Sequence, residues 1–193
     1  EDLNYAADGG LYAELIQNRD FEYSSKDGNK DKNWDSTYAW SIQGDGTTFT
    51  IGTDQPVHVN NPHYAILDVH APGAAFMNAG FGGIIAKKGE KYDFSMFSKV
   101  LGGGKGGKTL VQLVTKEGKE IARTVMKLSS KDWKKQSITL TATEDADSTI
   151  LVLSPQTVGC YALDMISLFP QKTFKGHKNG LRADLAQAIA DIH

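Results

Sequence analysis

From Tyr38 onward the chain alternates apolar and polar residues in short runs separated by turn-forming residues. Ala39-Trp40-Ser41-Ile42 and Phe49-Thr50-Ile51 are two such runs, with Gly44-Asp45-Gly46 as the turn between them. Tyr64-Ala65-Ile66-Leu67-Asp68-Val69 is a third. Further runs cover 81–86, 91–100, 109–115, 120–128, 133–143, 149–154 and 159–168. A period of two places successive side chains on opposite faces of a strand. Tyr92, Phe94 and Met96 share one face, with Asp93 and Ser95 on the other, and Ile138 and Leu140 alternate with Thr139 and Thr141. Pro56, Pro62 and Pro72 fall between runs, where a missing backbone N–H costs no ladder bond. Ten or so strands with regular turn signals predict a mainly β fold, an antiparallel sandwich of the jelly-roll type.

The two ends follow a different period. Leu11, Leu15 and Ile16 recur at the spacing of one helical stripe after Gly9-Gly10, and Phe21 and Tyr23 then alternate as on a strand. At the other end Asn179 can cap a helix from about Gly180, and Leu181, Leu185, Ala188, Ile189 and Ile192 fall on one face. The pattern thus predicts a short helix at each end of the sandwich. Their apolar stripes would pack on each other or on a second copy of the chain.

Composition narrows the function classes. The 193 residues suffice for one domain with a proper core, or one domain and a fragment. A net charge of -2 gives no electrostatic reason to expect nucleic acid or an anionic membrane. Cys160 is the sole cysteine, so no internal disulfide forms. No apolar run is long enough to span a bilayer. The first residue is not Met, which reads as a processed or trimmed chain from which an export signal could have been removed.

Candidate chemistry sits in the loops. Trp34 lies in a polar stretch, 24–36, rich in Lys, Asp, Asn and Gly. Sugar rings present apolar C–H faces that stack on indole, so Trp34 is either an exposed sugar platform or a ring folded back as a lid. Tyr38, His58, Asn60, His63 and Tyr64 border the neighbouring loops and could line the same site, although His58 and His63 do not have a zinc spacing. Trp40 and Trp133 fall within strands and read as core or sheet-face residues. Glu22 near the first strand and Asp164 in the last could meet if those strands pair. That meeting would suit a hard cation such as calcium, or else two carboxylates satisfied by backbone, Arg or Lys. Gly102-Gly103-Gly104-Lys105-Gly106-Gly107-Lys108-Thr109 satisfies a phosphate-loop pattern, but a β-branched run follows where the mechanism needs a helix. A flexible connection between strands accounts for it better.

Asp2-Leu3-Asn4 with Asp8-Gly9-Gly10-Leu11-Tyr12-Ala13-Glu14-Leu15 resembles the opening of the catalytic barrel in α-L-arabinofuranosidases of glycoside hydrolase family 51. Ser167-Leu168-Phe169-Pro170, Thr173-Phe174-Lys175-Gly176 and Asn179-Gly180-Leu181-Arg182 resemble the place where that barrel resumes. The resemblance implies three parts: 1–18 as the start of the (β/α)8 barrel, 19–168 as an inserted galactose-binding-like, carbohydrate-binding-type sandwich, and 169–193 as a linker and helix resuming the barrel. It implies that Glu1 contacts bound sugar and that the catalytic glutamates lie beyond His193, so this piece has no hydrolytic activity of its own. The parent would remove terminal arabinofuranosyl residues from arabinoxylan- or arabinan-type chains, secreted or periplasmic, with no required cofactor. The Asn18-x-x-Phe21-Glu22 start and the Asp164-bearing strand also resemble carbohydrate-binding families 4, 9 and 22, where a structural calcium is common. Partners are then a plant-type polysaccharide and the catalytic barrel missing from this chain. Two roles stay open for the sandwich: a sugar-binding module, or a structural insertion that braces the barrel without affinity.

Overall fold

A computed structural model describes residues 14–26 and 34–171. They contain no helix and eleven strands: β1 (Trp40–Gln43), β2 (Thr47–Gly52), β3 (Tyr64–Val69), β4 (Ala75–Asn78), β5 (Ile84–Ala86), β6 (Lys91–Leu101), β7 (Gly107–Thr115), β8 (Glu120–Leu128), β9 (Lys134–Thr141), β10 (Ala146–Pro155) and β11 (Gly159–Pro170). Two antiparallel sheets form. One has the order β1-β4-β10-β7-β8 with β5 beside β10, and the other β2-β3-β11-β6-β9. Adjacent strands in the chain mostly alternate between sheets, and a single apolar core fills the space between them.

The alternating pattern explains which faces meet. Tyr92, Phe94 and Met96 all point into the core and are buried, as are Leu67 and Val69 of β3 and Val111 and Leu113 of β7. Leu151 and Leu153 face them from β10. At one end, Trp40 stacks on Phe76 with centroids 4.6 Å apart, and Phe21 lies 5.2 Å from Trp40. Aromatic rings in such arrangements add to the free energy of burial itself.

The start of the described chain departs from the helix that the sequence predicts. Residues 14–16 form no helix. Leu15 N–H donates to Leu168 O at 3.0 Å, and Ile166 N–H donates to Arg19 O at 2.9 Å. β3 pairs with β11 only from Gly159 to Leu163. Beyond that point the 14–19 segment takes β3's place at the β11 edge, and Ile16 enters the core. Pairing with an otherwise open strand edge outweighs the local helical spacing. Residues 11–13, the predicted C-terminal helix and the expected contact between the two terminal helices lie outside the described residues. Phe21 and Tyr23 belong to a turn and an irregular segment rather than a strand.

The glycine run closes as a loop between β6 and β7, and the chain enters a strand at Gly107. Gly106 has φ +84°, and a Cβ there would come 2.2 Å from Leu128 O. Its glycine is needed for backbone geometry, and the loop runs into a strand rather than into a helix N-terminus that would hold a phosphate.

Candidate carbohydrate-facing surfaces

The residues singled out in the loops fall into two neighbouring clusters joined by Glu22 and Tyr23. Trp34 is only 5 % exposed. Its ring stacks on Tyr23 at 4.8 Å and meets Tyr38 tilted at 4.9 Å, while Tyr23 and Tyr38 themselves lie 6.0 Å apart, so the three rings form one closed cluster. Of the two arrangements open for Trp34, platform or lid, the buried ring packed in an aromatic cluster corresponds to the lid. Tyr38 is the half-buried member of that cluster. Asn18 organises this corner. Its Nδ2 donates to Ser36 O at 3.0 Å and to Tyr38 O at 2.9 Å, while its Oδ1 accepts from Tyr23 N–H at 3.1 Å. Its own carbonyl accepts from Trp40 Nε1 at 2.8 Å. Asn18 is fully buried with φ +52°, a left-handed backbone that Asn adopts more readily than most residues.

Glu22 is held by His63. One carboxylate oxygen accepts from His63 N–H at 2.7 Å, and the other lies 2.7 Å from His63 Nδ1. His58 and Asn60 stay exposed on the loop before β3, where His58 bridges to Asn61. Tyr64 is buried, and its hydroxyl donates to Asp54 O at 2.6 Å. Tyr64 meets Trp133 edge-to-face at 5.2 Å, beside Lys99. The Lys99 ammonium lies 4.7 Å from the Trp133 ring centroid and donates to Gln55 O at 3.1 Å. Lys99 is 7 % exposed, so two aromatic faces and a carbonyl replace its water. The 53–63 loop therefore covers this part of the outer face of the second sheet. Glu1 lies outside the described residues.

Asp164 is completely buried beside the bulge in β11, and Met165 N–H donates to its Oδ1 at 2.8 Å. Its Oδ2 has no partner among the described residues. Burial, reinforced by the nearby Asp20 and Glu22 charges, pushes its carboxyl up to about 8. Glu22 lies close enough for its charge to act on Asp164, although it sits in an irregular segment rather than in a first strand paired with β11. As a calcium site the donor chemistry is half right. The orphaned Asp164 oxygen and crowded carboxylates suit a hard cation, but both Glu22 oxygens are engaged by His63. The described residues contain no group of three or more His, Cys, Asp or Glu arranged to hold a metal.

Two surface grooves, each of about 400 Å³, lie on the sheets' outer faces. One crosses all five strands of the β1-β4-β10-β7-β8 path. Its apolar floor includes Met77, Ile150 and Val152, and its polar edges include Gln43, Gln112 and Glu120. The Gln112 amide donates to Glu120 Oε2.

The other groove lies on the second sheet where the 14–19 segment replaces β3. Ser167, Ser95 and Ser137 form one lateral rung across β11, β6 and β9, and Phe169, Asp93 and Thr139 form the next. Short hydroxyl side chains in the serine rung leave room between the bulkier rungs on either side. Arg19 and Lys135 flank the space. Behind it Glu14 is buried, and its Oε2 accepts from Leu15 N–H at 3.0 Å and Leu168 N–H at 2.9 Å. Its other oxygen lies 3.2 Å from Arg19 Nε. Burial pushes the Glu14 carboxyl up to about 7, against the pull of Arg19 and the Ser167 hydroxyl.

These features define a two-sheet antiparallel β-sandwich. The xylan-binding CBM22-1 domain of Paenibacillus barcinonensis Xyn10C superposes with a TM-score of 0.58 over 85% of this chain and 98% of that one, at 14% identity, a likeness of fold. The chain is related along its whole length to the α-L-arabinofuranosidases of glycoside hydrolase family 51. It is 35% identical over 195 residues to an extracellular exo-α-L-arabinofuranosidase of Streptomyces chartreusis, covering 100% of this chain and 22% of that protein. It is 30% identical to α-L-arabinofuranosidase 1 of Arabidopsis thaliana, covering 100% of this chain and 29% of that protein. An arabinose-bound GH51 α-L-arabinofuranosidase, MgGH51, superposes with a TM-score of 0.83 at 28% identity, covering 100% of this chain and 32% of that one. No family model matches the chain. The chain therefore spans less than a third of the length of these relatives.

Sequence reasoning does not identify Glu14, Asn18, Arg19 or either groove. The alternation of Asp93 and Ser95 with apolar residues, and of Thr139 with Ile138 and Leu140, shows which side chains leave the core. Which strands stand side by side, and in what register, is set by long-range pairing.

Proposed function

We propose that this chain is a non-catalytic carbohydrate-binding module of an α-L-arabinofuranosidase. In this reading it holds a plant-type polysaccharide while another part of the longer protein removes terminal arabinofuranosyl residues from arabinoxylan- or arabinan-type chains, outside the cell. The observation that carries the reading is the groove across the five-strand path. Neighbouring strands lie ~4.8 Å apart, so a groove crossing five of them extends roughly 19 Å, long enough for an extended oligosaccharide. Apolar side chains on its floor suit sugar C–H faces, and the amides and carboxylate at its edges suit sugar hydroxyls. His58 and Asn60, exposed on their loop, are secondary contacts in the same reading.

The test is affinity electrophoresis and calorimetry of the 193-residue chain against arabinoxylan, arabinan and neutral xylo-oligosaccharides. The reading predicts saturable binding that weakens roughly thirtyfold in the double variant Gln43→Ala/Gln112→Ala, since each of the two lost hydrogen bonds is worth about 1 kcal/mol. Absence of binding to all of these sugars would favour the other role, an insertion that braces a barrel. The buried Trp34 and Trp40 and the groove's lack of an aromatic side chain support that second reading.

A structural calcium belongs to the proposal, with Asp164 and Glu22 as the residues that would hold it. Calcium would supply positive charge to the unpartnered Asp164 oxygen, and Glu22 would have to exchange His63 for the ion. Dialysis against chelator followed by calcium titration should raise the thermal midpoint in wild type but not in Asp164→Asn. An identical midpoint with and without calcium would leave Asp164 satisfied by a proton alone.

A further inference from the structure

We infer that the groove on the second sheet is a separate site for a carboxylate-bearing saccharide, a uronate-substituted oligosaccharide. Its polar surface has two components. Across the floor, Ser95 and Ser137 stand directly opposite one another on β6 and β9, and Thr139 follows in the next rung. Hydroxyls both donate and accept, which suits the hydroxyls of a sugar ring, and the strand spacing of ~4.8 Å places them on the scale of one ring. Phe169 supplies an apolar wall from the Thr139 rung.

The flanks supply charge. Arg19 has a side chain 38 % exposed, and its one ion pair among the described residues is through Nε to Glu14. The two terminal guanidinium nitrogens, the pair that grips carboxylates in bidentate fashion, carry no acceptor among the described residues. Lys135 lines the same groove from β9 and likewise has no hydrogen bond or ion pair among the described residues. Asp93 is the lining carboxylate, and the Gln171 amide donates to it at 2.8 Å. Arg19 and Lys135 outnumber Asp93, the one lining carboxylate, which the Gln171 amide already engages, so the groove favours a sugar with one acidic group over a wholly neutral one. Glu14 acts behind the groove as a positioning residue: its buried carboxyl is tied to Leu15 and Leu168 backbone and fixes the Arg19 head.

The inference adds a second ligand class to the sugar-binding reading, and its test separates the two. Calorimetric titration of the 193-residue chain uses a glucuronate-substituted xylo-oligosaccharide and the same oligosaccharide with its carboxyl reduced to the alcohol. A site of this chemistry predicts roughly tenfold tighter binding of the acid, on the scale of one charged hydrogen bond, with the preference fading as salt is raised. Lys135→Gln and Ser137→Trp, at exposed positions, should lower acid affinity roughly tenfold while leaving the reduced ligand unaffected. Arg19→Gln should abolish the preference, provided its thermal transition stays cooperative. Equal affinity for both ligands would overturn the inference and leave the neutral-sugar reading standing. A preference for the acid that survives Lys135→Gln and Ser137→Trp would place its site elsewhere and overturn it as well. No binding of either ligand would overturn the inference, while the sugar-binding reading would still be decided by arabinan and arabinoxylan.

Discussion

Replacing Asn18 with Ala should uncouple the aromatic corner from the rest of the sandwich. The substitution removes two donated bonds, to Ser36 O and Tyr38 O, and one accepted from Tyr23 N–H. Each is worth about 1 kcal/mol net, giving about 3 kcal/mol together. Ala must also hold the φ of +52° found at Asn18, which costs roughly 1 kcal/mol more. The sum, about 4 kcal/mol, corresponds to a fall of roughly 8–16 °C in thermal midpoint for a chain of this size. Asn18→Gly separates the two contributions, because Gly loses the same three bonds without the φ penalty and should recover about 1 kcal/mol. Differential scanning fluorimetry gives the midpoint, and tryptophan emission gives the local effect, since Trp34 stacks on two residues that Asn18 anchors. An Ala variant within about 1 kcal/mol of wild type would refute the argument, because removing three partly buried hydrogen bonds cannot be that mild unless water replaces all of them.

Glu14 makes stability depend on pH in the direction opposite to ordinary acid denaturation. Its folded carboxyl is raised from 4.5 to about 7, so the folded state binds the extra proton between those values and stability falls as pH rises through that window. Chemical denaturation of Glu14→Gln at pH 5 and pH 8 should show a smaller drop than wild type; an equal drop in both would remove Glu14 as its source. Gly106→Ala should cost several degrees of thermal midpoint, because a Cβ would sit 2.2 Å from Leu128 O. Lys99→Met should keep the packed stem yet release the ammonium from Gln55 O and the Trp133 ring, changing stability by roughly 1–2 kcal/mol and shifting Trp133 emission.

The strands were legible because burial on one face of a sheet enforces a period of two. Tyr64–Val69 and 120–128 match their predicted runs end to end. β4 was hidden because Ala75-Phe76-Met77-Asn78 is short and begins among small residues. Phe81 looked like a strand start, yet Gly80, Gly82 and Gly83 all have positive φ and hold a turn there. The spacing of Leu11, Leu15 and Ile16 is helical, but residues 14–16 join the β11 edge, where Glu14 meets a partner 154 residues away in the chain that no local window contains. Trp34 stayed open between platform and lid for a related reason: the polar loop around it describes its neighbours in sequence, whereas Tyr23 and Tyr38 come from either side of that loop. Both grooves depend on strand order and register, which periodicity alone does not encode.

The most direct measurement of the account is an amide NMR titration of the 193-residue chain with a neutral arabinoxylan-derived oligosaccharide. The account predicts saturable shifts at Gln43, Met77, Gln112, Ile150 and Val152, along the groove across the five-strand path. A spectrum that stays unchanged to millimolar sugar, or shifts confined to Trp34 and Tyr38, would contradict it.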